Sequence, residues 1–257
     1  MSQPQQTSLA KTPDGPVEYL LTGNSAGPSV VLINGAGGPL SAWDPIVERL
    51  SDEFQILAYN RAGIGKTAKA SKPQTAEYGA VQLKELIGTI GLKHPLHLAG
   101  HSFGGLIANM FARKNPGQVA SVTFLEAGTV EDLEFSTAQK PGLLQRVLDT
   151  LWKPDPLSER ATASQTLQEF RAISPFPQIP VSVVTGGKSL PSWLAGKAAL
   201  EIRAEGQKKL VELGHPGKQI IAQKSGHFPQ MTEPDVVASA ISELVVQVLS
   251  PAARASA

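Results

Sequence analysis

Ten residues from Leu96 to Gly105, Leu-His-Leu-Ala-Gly-His-Ser-Phe-Gly-Gly, constrain this chain more than any other stretch. An apolar, strand-like run ends in Gly100-His101-Ser102-Phe103-Gly104, and a helix-like run, Leu106 to Arg113, follows Gly105. Strand, G-x-S-x-G and helix in that order place a serine on a turn so sharp that glycine is needed on either side of it. The turn lifts the Ser102 hydroxyl clear of a sheet. The helix N-terminus points its positive end at the oxygen, and the Phe103 amide N–H faces the place where an oxyanion would form. The His101 side chain is expected to turn away. Short glycine-rich patterns also arise by chance, so the motif takes its meaning from the rest of the chain.

That remainder alternates strands and helices. Val17 to Thr22, Ser29 to Ile33, Phe54 to Tyr59, Val119 to Leu125, Val181 to Thr185 and Gln219 to Ala222 read as further strands. Ser41 to Leu50, Thr75 to Ile90, Leu200 to Leu213 and Pro234 to Leu249 carry apolar residues at helical spacing, with Gly91 closing the second of them. The alternation predicts an α/β fold with a doubly wound, mostly parallel central sheet. It stops between Thr129 and Pro180, where Leu143 to Trp152 and Ser158 to Ile173 read as helices around Lys153-Pro154-Asp155-Pro156. A small helical lid insertion at 129–179 is therefore expected, interrupting a core made of 17–128 and 180–250. Residues 1–16 and 251–257 read as flexible ends.

Two glycine-rich stretches invite a nucleotide reading and fail it. After Ile33 a G-x-G-x-x-G pattern would need glycine where Leu40 stands, and a phosphate-cradling loop ending in Lys66-Thr67 would need glycine where Asn60 stands. The 257 residues contain 23 basic and 22 acidic residues and no cysteine. No basic stripe points to nucleic acid, and disulfides, thiolate metal sites and cysteine nucleophiles are excluded together. With no apolar leader at the start and no long apolar run, the expectation is a soluble, cytoplasmic protein with a small-molecule substrate, no membrane partner, no metal and no cofactor. The sequence says nothing of oligomeric state.

Of the five histidines, His94 and His97 flank or lie in the elbow strand, His101 belongs to the elbow and His215 to a Gly-Pro loop. His227, in Ser225-Gly226-His227-Phe228-Pro229, follows the last strand and fits the chain order serine, acid, histidine. It is the candidate general base.

On Gly100-His101-Ser102-Phe103-Gly104-Gly105, on Asn34-Gly35-Ala36-Gly37 after an early strand, and on Ser225-Gly226-His227, the chain resembles α/β-hydrolase-fold enzymes over 17–249. The resemblance implies an oxyanion hole formed by the backbone N–H groups of Ala36 and Phe103. Asn34 and Asn60 stand where the family commonly has histidine and aspartate. The usual acid position, in Gly186-Gly187-Lys188-Ser189, holds no carboxylate, and none lies between Arg171 and Glu201. Glu126 ends the strand after the elbow helix, where haloalkane dehalogenases and some lipases of this fold carry their acid, and is assigned that role. A strand-end acid is better fixed than a loop acid. Asp149, Asp155, Glu131 and Asp132 are its competitors.

The expected activity is hydrolysis of a carboxylic ester, or of a lactone or thioester, of a small apolar substrate through an acyl-enzyme on Ser102. Trp152, Phe176 and Trp193 are expected to line the acyl pocket from the lid side. The alternatives are a C–C bond hydrolase or perhydrolase using the same triad, and a non-catalytic ligand-binding protein of this fold.

Overall fold

The sheet follows from runs of residues that are buried on both sides. In the computed structural model, which describes residues 6–139, 155–188 and 196–250, the strand Ser29–Ile33 is buried at every position. That is the signature of a parallel strand covered by helices on both faces. The strands are β1 (Ser8–Thr12), β2 (Gly15–Gly23), β3 (Ser29–Ile33), β4 (Gln55–Tyr59), β5 (Leu96–His101), β6 (Val119–Leu125), β7 (Val181–Gly186) and β8 (Gly217–Ala222). They form one sheet in the order β1-β2-β4-β3-β5-β6-β7-β8. β1 pairs with β2, and β2 with β4, antiparallel, while every pairing from β4 to β8 is parallel.

Helices α1 (Asp44–Leu50), α2 (Ala76–Ile90), α3 (Phe103–Lys114), α4 (Val130–Ala138), α5 (Ala163–Ala172), α6 (Lys197–Glu212), α7 (Pro229–Thr232) and α8 (Pro234–Leu249) accompany the sheet, with a short 3-10 turn at Leu40–Trp43. The two-residue period of the strands divides the core. Val30, Leu32, Ile56 and Ala58 pack with Ile46 and Val47 of α1 and Val237 and Ile241 of α8. Val31, Ile33 and Leu57 face the other way, toward Leu83 and Leu86 of α2, Ile107 and Phe111 of α3 and Leu210 of α6.

Three details differ from the sequence reading. The stretch 1–16 is not loose throughout, because Ser8–Thr12 is an edge strand held by β2. Within 129–179, Val130–Ala138 is a helix with a capping box, in which Thr129 and Asp132 exchange hydrogen bonds. The second helix of that stretch is shorter than Ser158 to Ile173, running from Ala163 to Ala172. The helix read at Leu143 to Trp152 and the tail at 251–257 lie outside the described residues.

The Lys66-Thr67 loop has an internal anion in place of a phosphate. Glu18 accepts hydrogen bonds from the Lys66 amide at 2.8 Å, from Asn60 Nδ2 at 2.8 Å and from Thr7 Oγ1 at 2.8 Å. Burial would raise this carboxyl, but those donors and the Lys66 ammonium hold it below its ordinary value.

Candidate active site

Ser102 stands between β5 and α3 with φ 51° and ψ −119°, a backbone conformation that a serine adopts only under constraint. The constraint is the close approach of α3 to the end of β3. A Cβ on Gly104 would lie 2.2 Å from the Ile33 carbonyl oxygen, so no larger residue fits there. The Ser102 amide is anchored to Leu125 O at 3.1 Å, and its carbonyl accepts from Gly105 and Gly128. The amide N–H groups of Ala36 and Phe103 have no hydrogen-bond partner among the described residues.

The loop carrying Ala36 is braced from below. Arg61 is buried and donates to Asn34 O and Gly35 O, each at 2.6 Å, and to Glu159 Oε1 at 2.6 Å. Its guanidinium also lies over the Phe103 ring. Asn34 Nδ2 bonds Pro39 O, and Asn60 Oδ1 accepts from Leu40 N at 2.7 Å. The two asparagines that depart from the common pattern thus tie down the loop between β3 and α1.

His227 sits on the loop after β8, and it lines one cavity of about 490 Å³ together with Ser102, His101, residues of the 34–42 loop, Phe228, Gln230 and Met231. No hydrogen bond joins Ser102 and His227, which is common before substrate draws such a pair together. Behind the ring, His227 Nδ1 lies 3.4 Å from Glu126 Oε2. That contact leaves Nε2 as the nitrogen available to Ser102.

His101 does not turn away. Its Nε2–H donates to the His227 carbonyl at 2.6 Å, and the two ring centroids are 4.9 Å apart. Burial lowers its pKa to about 4, so the ring is neutral near pH 7 and holds the histidine loop as a donor without adding charge. A residue flanking the nucleophile has room to reach across because the histidine loop passes directly over it.

Glu126 occupies the end of β6 with φ 43°, the second positive φ on a non-glycine residue among the described residues. Its carboxylate accepts from Gly186 N at 2.7 Å and from Arg203 Nη2 at 2.6 Å. Burial alone would raise this carboxyl, yet the His227, Arg203 and Gly186 contacts outweigh it and bring it down to about 2. The usual acid loop thus supplies a backbone donor instead of a carboxylate. A Cβ on Gly186 would meet Gly226 O at 2.3 Å, so this loop lies too close to the histidine loop to carry a side chain there.

Of the competing carboxylates, Asp132 caps α4 and Glu131 pairs with Lys209 at 2.8 Å. Asp155 accepts from Leu157 N in a local turn, and Asp149 lies outside the described residues. Phe176 is corrected: it is buried in the core against Phe124, under Arg113, where a large ring gains more from packing than from lining a cleft. Trp152 and Trp193 lie outside the described residues. The apolar wall at Ser102 comes instead from Phe228 on the histidine loop and Met231 of α7, 51% and 55% exposed. Phe228 stands directly after His227 and Met231 four residues on, and that proximity in sequence was a readable signal. Among the described residues, none that lines the cavity comes from 129–179. The described parts of that stretch dock elsewhere, with Thr162 Oγ1 donating to Gln74 O and Thr166 Oγ1 accepting from Ala76 N.

Among the described residues no cluster of three His, Asp or Glu side chains could hold a metal ion, and no helix is long and apolar enough to cross a membrane.

The family model described as "Alpha/beta hydrolase family" matches residues 30–240. The uncharacterized protein YqjL of Bacillus subtilis is 24% identical over 221 residues, spanning 86% of this chain and 84% of its own. A thermophilic esterase from Thermogutta terrifontis superposes with a TM-score of 0.64 at 20% identity, over 95% of this chain and 100% of that one. The carboxylesterase CesB of Bacillus subtilis does so with a TM-score of 0.66 at 19% identity, over 95% and 93%. Likeness at such identities speaks to the fold.

Proposed function

Since the chain belongs to the alpha/beta hydrolase family, we propose that it is a serine hydrolase that cleaves a small carboxylic ester through an acyl-enzyme on Ser102. The observation that carries this reading is the cavity shared by Ser102 and His227, with the Glu126 carboxylate behind His227 Nδ1. Ser102 Oγ attacks the acyl carbon while His227 Nε2 takes its proton. The oxygen of the tetrahedral intermediate is received by the Ala36 and Phe103 N–H groups, which are oriented beforehand and so need no reorganisation when charge develops. His227 then gives its proton to the departing alcohol, and a water activated by the same nitrogen releases the acid. Glu126 holds the ring in the productive tautomer and offsets the imidazolium charge.

A cavity of about 490 Å³ with Phe228 and Met231 in its wall suits a short or medium apolar acyl or alcohol group. The C–C hydrolase and perhydrolase readings use the same three residues and differ in the bond that is cleaved or in the acyl acceptor, hydrogen peroxide in place of water. The test is turnover of p-nitrophenyl esters of increasing acyl length by the parent and by Ser102→Ala. The expected result is hydrolysis that is best for short and medium chains and that falls on the order of 10⁴-fold or more in the variant. Equal turnover by the two purified proteins would refute the acyl-enzyme.

A further inference from the structure

Glu126 faces a second cavity, of about 380 Å³, on the far side of His227 from Ser102, lined also by Asp132, Lys188 and Arg203. Arg203 comes from α6, and a single nitrogen, Nη2, donates to two atoms of one residue: Glu126 Oε2 at 2.6 Å and the Glu126 carbonyl at 2.9 Å. Gripping side chain and main chain together removes the rotations by which the carboxylate could leave the imidazole. Those are the freedoms most exposed to loss here, because Glu126 holds a φ of 43° against its own preference. Nη1 of the same guanidinium lies 3.7 Å from Asp132 Oδ2, and Asp132 caps α4, so Arg203 also ties the acid to the start of the 129–179 stretch.

We propose that Arg203 is a positioning residue of the triad, clamping Glu126 by its carboxylate and its carbonyl at once so that an acid placed at the end of β6 meets His227. This rests on the ester-hydrolase reading for its kinetic consequence but not for its geometry. Each carboxylate oxygen of Glu126 has a partner other than the imidazole. Gly186 N supplies the first and Arg203 the second. The shared oxygen has a consequence. Oε2 accepts from Arg203 at 2.6 Å and from His227 at 3.4 Å, so the guanidinium holds the nearer position on the oxygen that the two share. The titratable and charged groups around this carboxylate are Arg203, His227, Asp132, Lys188 and, from the elbow, His101. Among the described residues, only Arg203 bonds it as a permanent cation.

The test compares the parent with Arg203→Met, Arg203→Gln and Arg203→Lys, with Lys209→Met as a control on the same helix. Two readouts are taken: ester kinetics, and the ¹³C resonance of the Glu126 carboxyl followed down in pH, assigned through Glu126→Gln. In Arg203→Met, kcat is expected to fall roughly 10–100-fold with KM within about twofold. The Glu126 carboxyl should titrate at least about one unit higher than in the parent. Arg203→Lys should bring the titration back toward the parent and recover part of kcat, since charge returns without the guanidinium's geometry. Lys209→Met should change neither. Arg203→Gln, which keeps an N–H but no charge, serves the same comparison where the methionine variant does not fold. A folded Arg203→Met or Arg203→Gln protein with the parent's kcat and an unmoved Glu126 titration would overturn the proposal. Should the parent hydrolyse no ester, that failure belongs to the functional reading, and the carboxyl titration still decides the role of Arg203.

Discussion

Glu126 carries the greatest burden of any single residue in this account. It is strained at φ 43°, buried, and bonded by a backbone N–H and a guanidinium before it reaches His227. Its pKa, brought down to about 2 from the ordinary 4.5, means that the unfolded chain binds this proton more tightly than the folded one. Its contribution to stability is therefore complete above about pH 4.5 and lost as pH falls toward about 2. Glu126→Gln keeps the shape and removes the charge. We expect kcat to fall on the order of 10²–10⁴-fold, since the wrong imidazole tautomer becomes available. In acid melts, the variant's stability should decline less steeply than the parent's between about pH 4.5 and pH 2. A variant with parental kcat would remove Glu126 from the triad. Its candidacy came from the family resemblance, since the loop that usually carries the acid holds no carboxylate and Glu126 ends the strand where some members of the fold carry theirs. The close approach of Gly186 to Gly226 O, which bars a side chain at that one position, is a tertiary fact that no local pattern reveals.

Among the elements, the candidate site is three loops at one edge of the mostly parallel sheet, each fixed by a residue outside the proposed triad. Arg61 holds the loop after β3, His101 the loop after β8, and Arg203 the end of β6. None of the three was legible as a support. Arginine and histidine at these positions give no periodic signal, and their partners are mostly main-chain carbonyls far away in sequence. The elements themselves were legible, because buried β-branched runs and capped amphipathic helices announce themselves locally. The strand Ser8–Thr12 was missed since an edge strand of mixed exposure carries little apolar pattern. The α4 helix was missed because its amphipathicity is weak and a single buried residue, Leu133, marks its face. The loop after β3 also yields a direct test of the oxyanion donors, which side-chain truncation cannot remove. Ala36→Pro deletes one N–H and is expected to cost roughly 10²–10³ in kcat while circular dichroism stays that of the parent. A folded Ala36→Pro protein of full activity would place the hole on another loop.

Across the whole molecule, the sheet order brings together residues that are distant in sequence. β3, β5 and β6 are neighbours at the centre, and β7 and β8 follow in order, so the ends of successive strands deliver the Ala36 loop, Ser102, Glu126 and His227 to one edge. This arrangement was foreseeable from the alternation of strands and helices with the elbow between them. The wall of the cavity was not, because aromatic residues in the sequence do not reveal whether they face a cleft or the core, as Phe176 illustrates. The central claim is that Ser102 is a nucleophile activated at this edge. Its most direct measurement is mass-spectrometric mapping of the protein after exposure to a fluorophosphonate, which reacts only with an activated serine. One adduct per chain is expected, on the peptide containing Ser102, absent from Ser102→Ala and formed far more slowly in His227→Ala. A folded protein that takes no label, or takes it on a different residue, would contradict it.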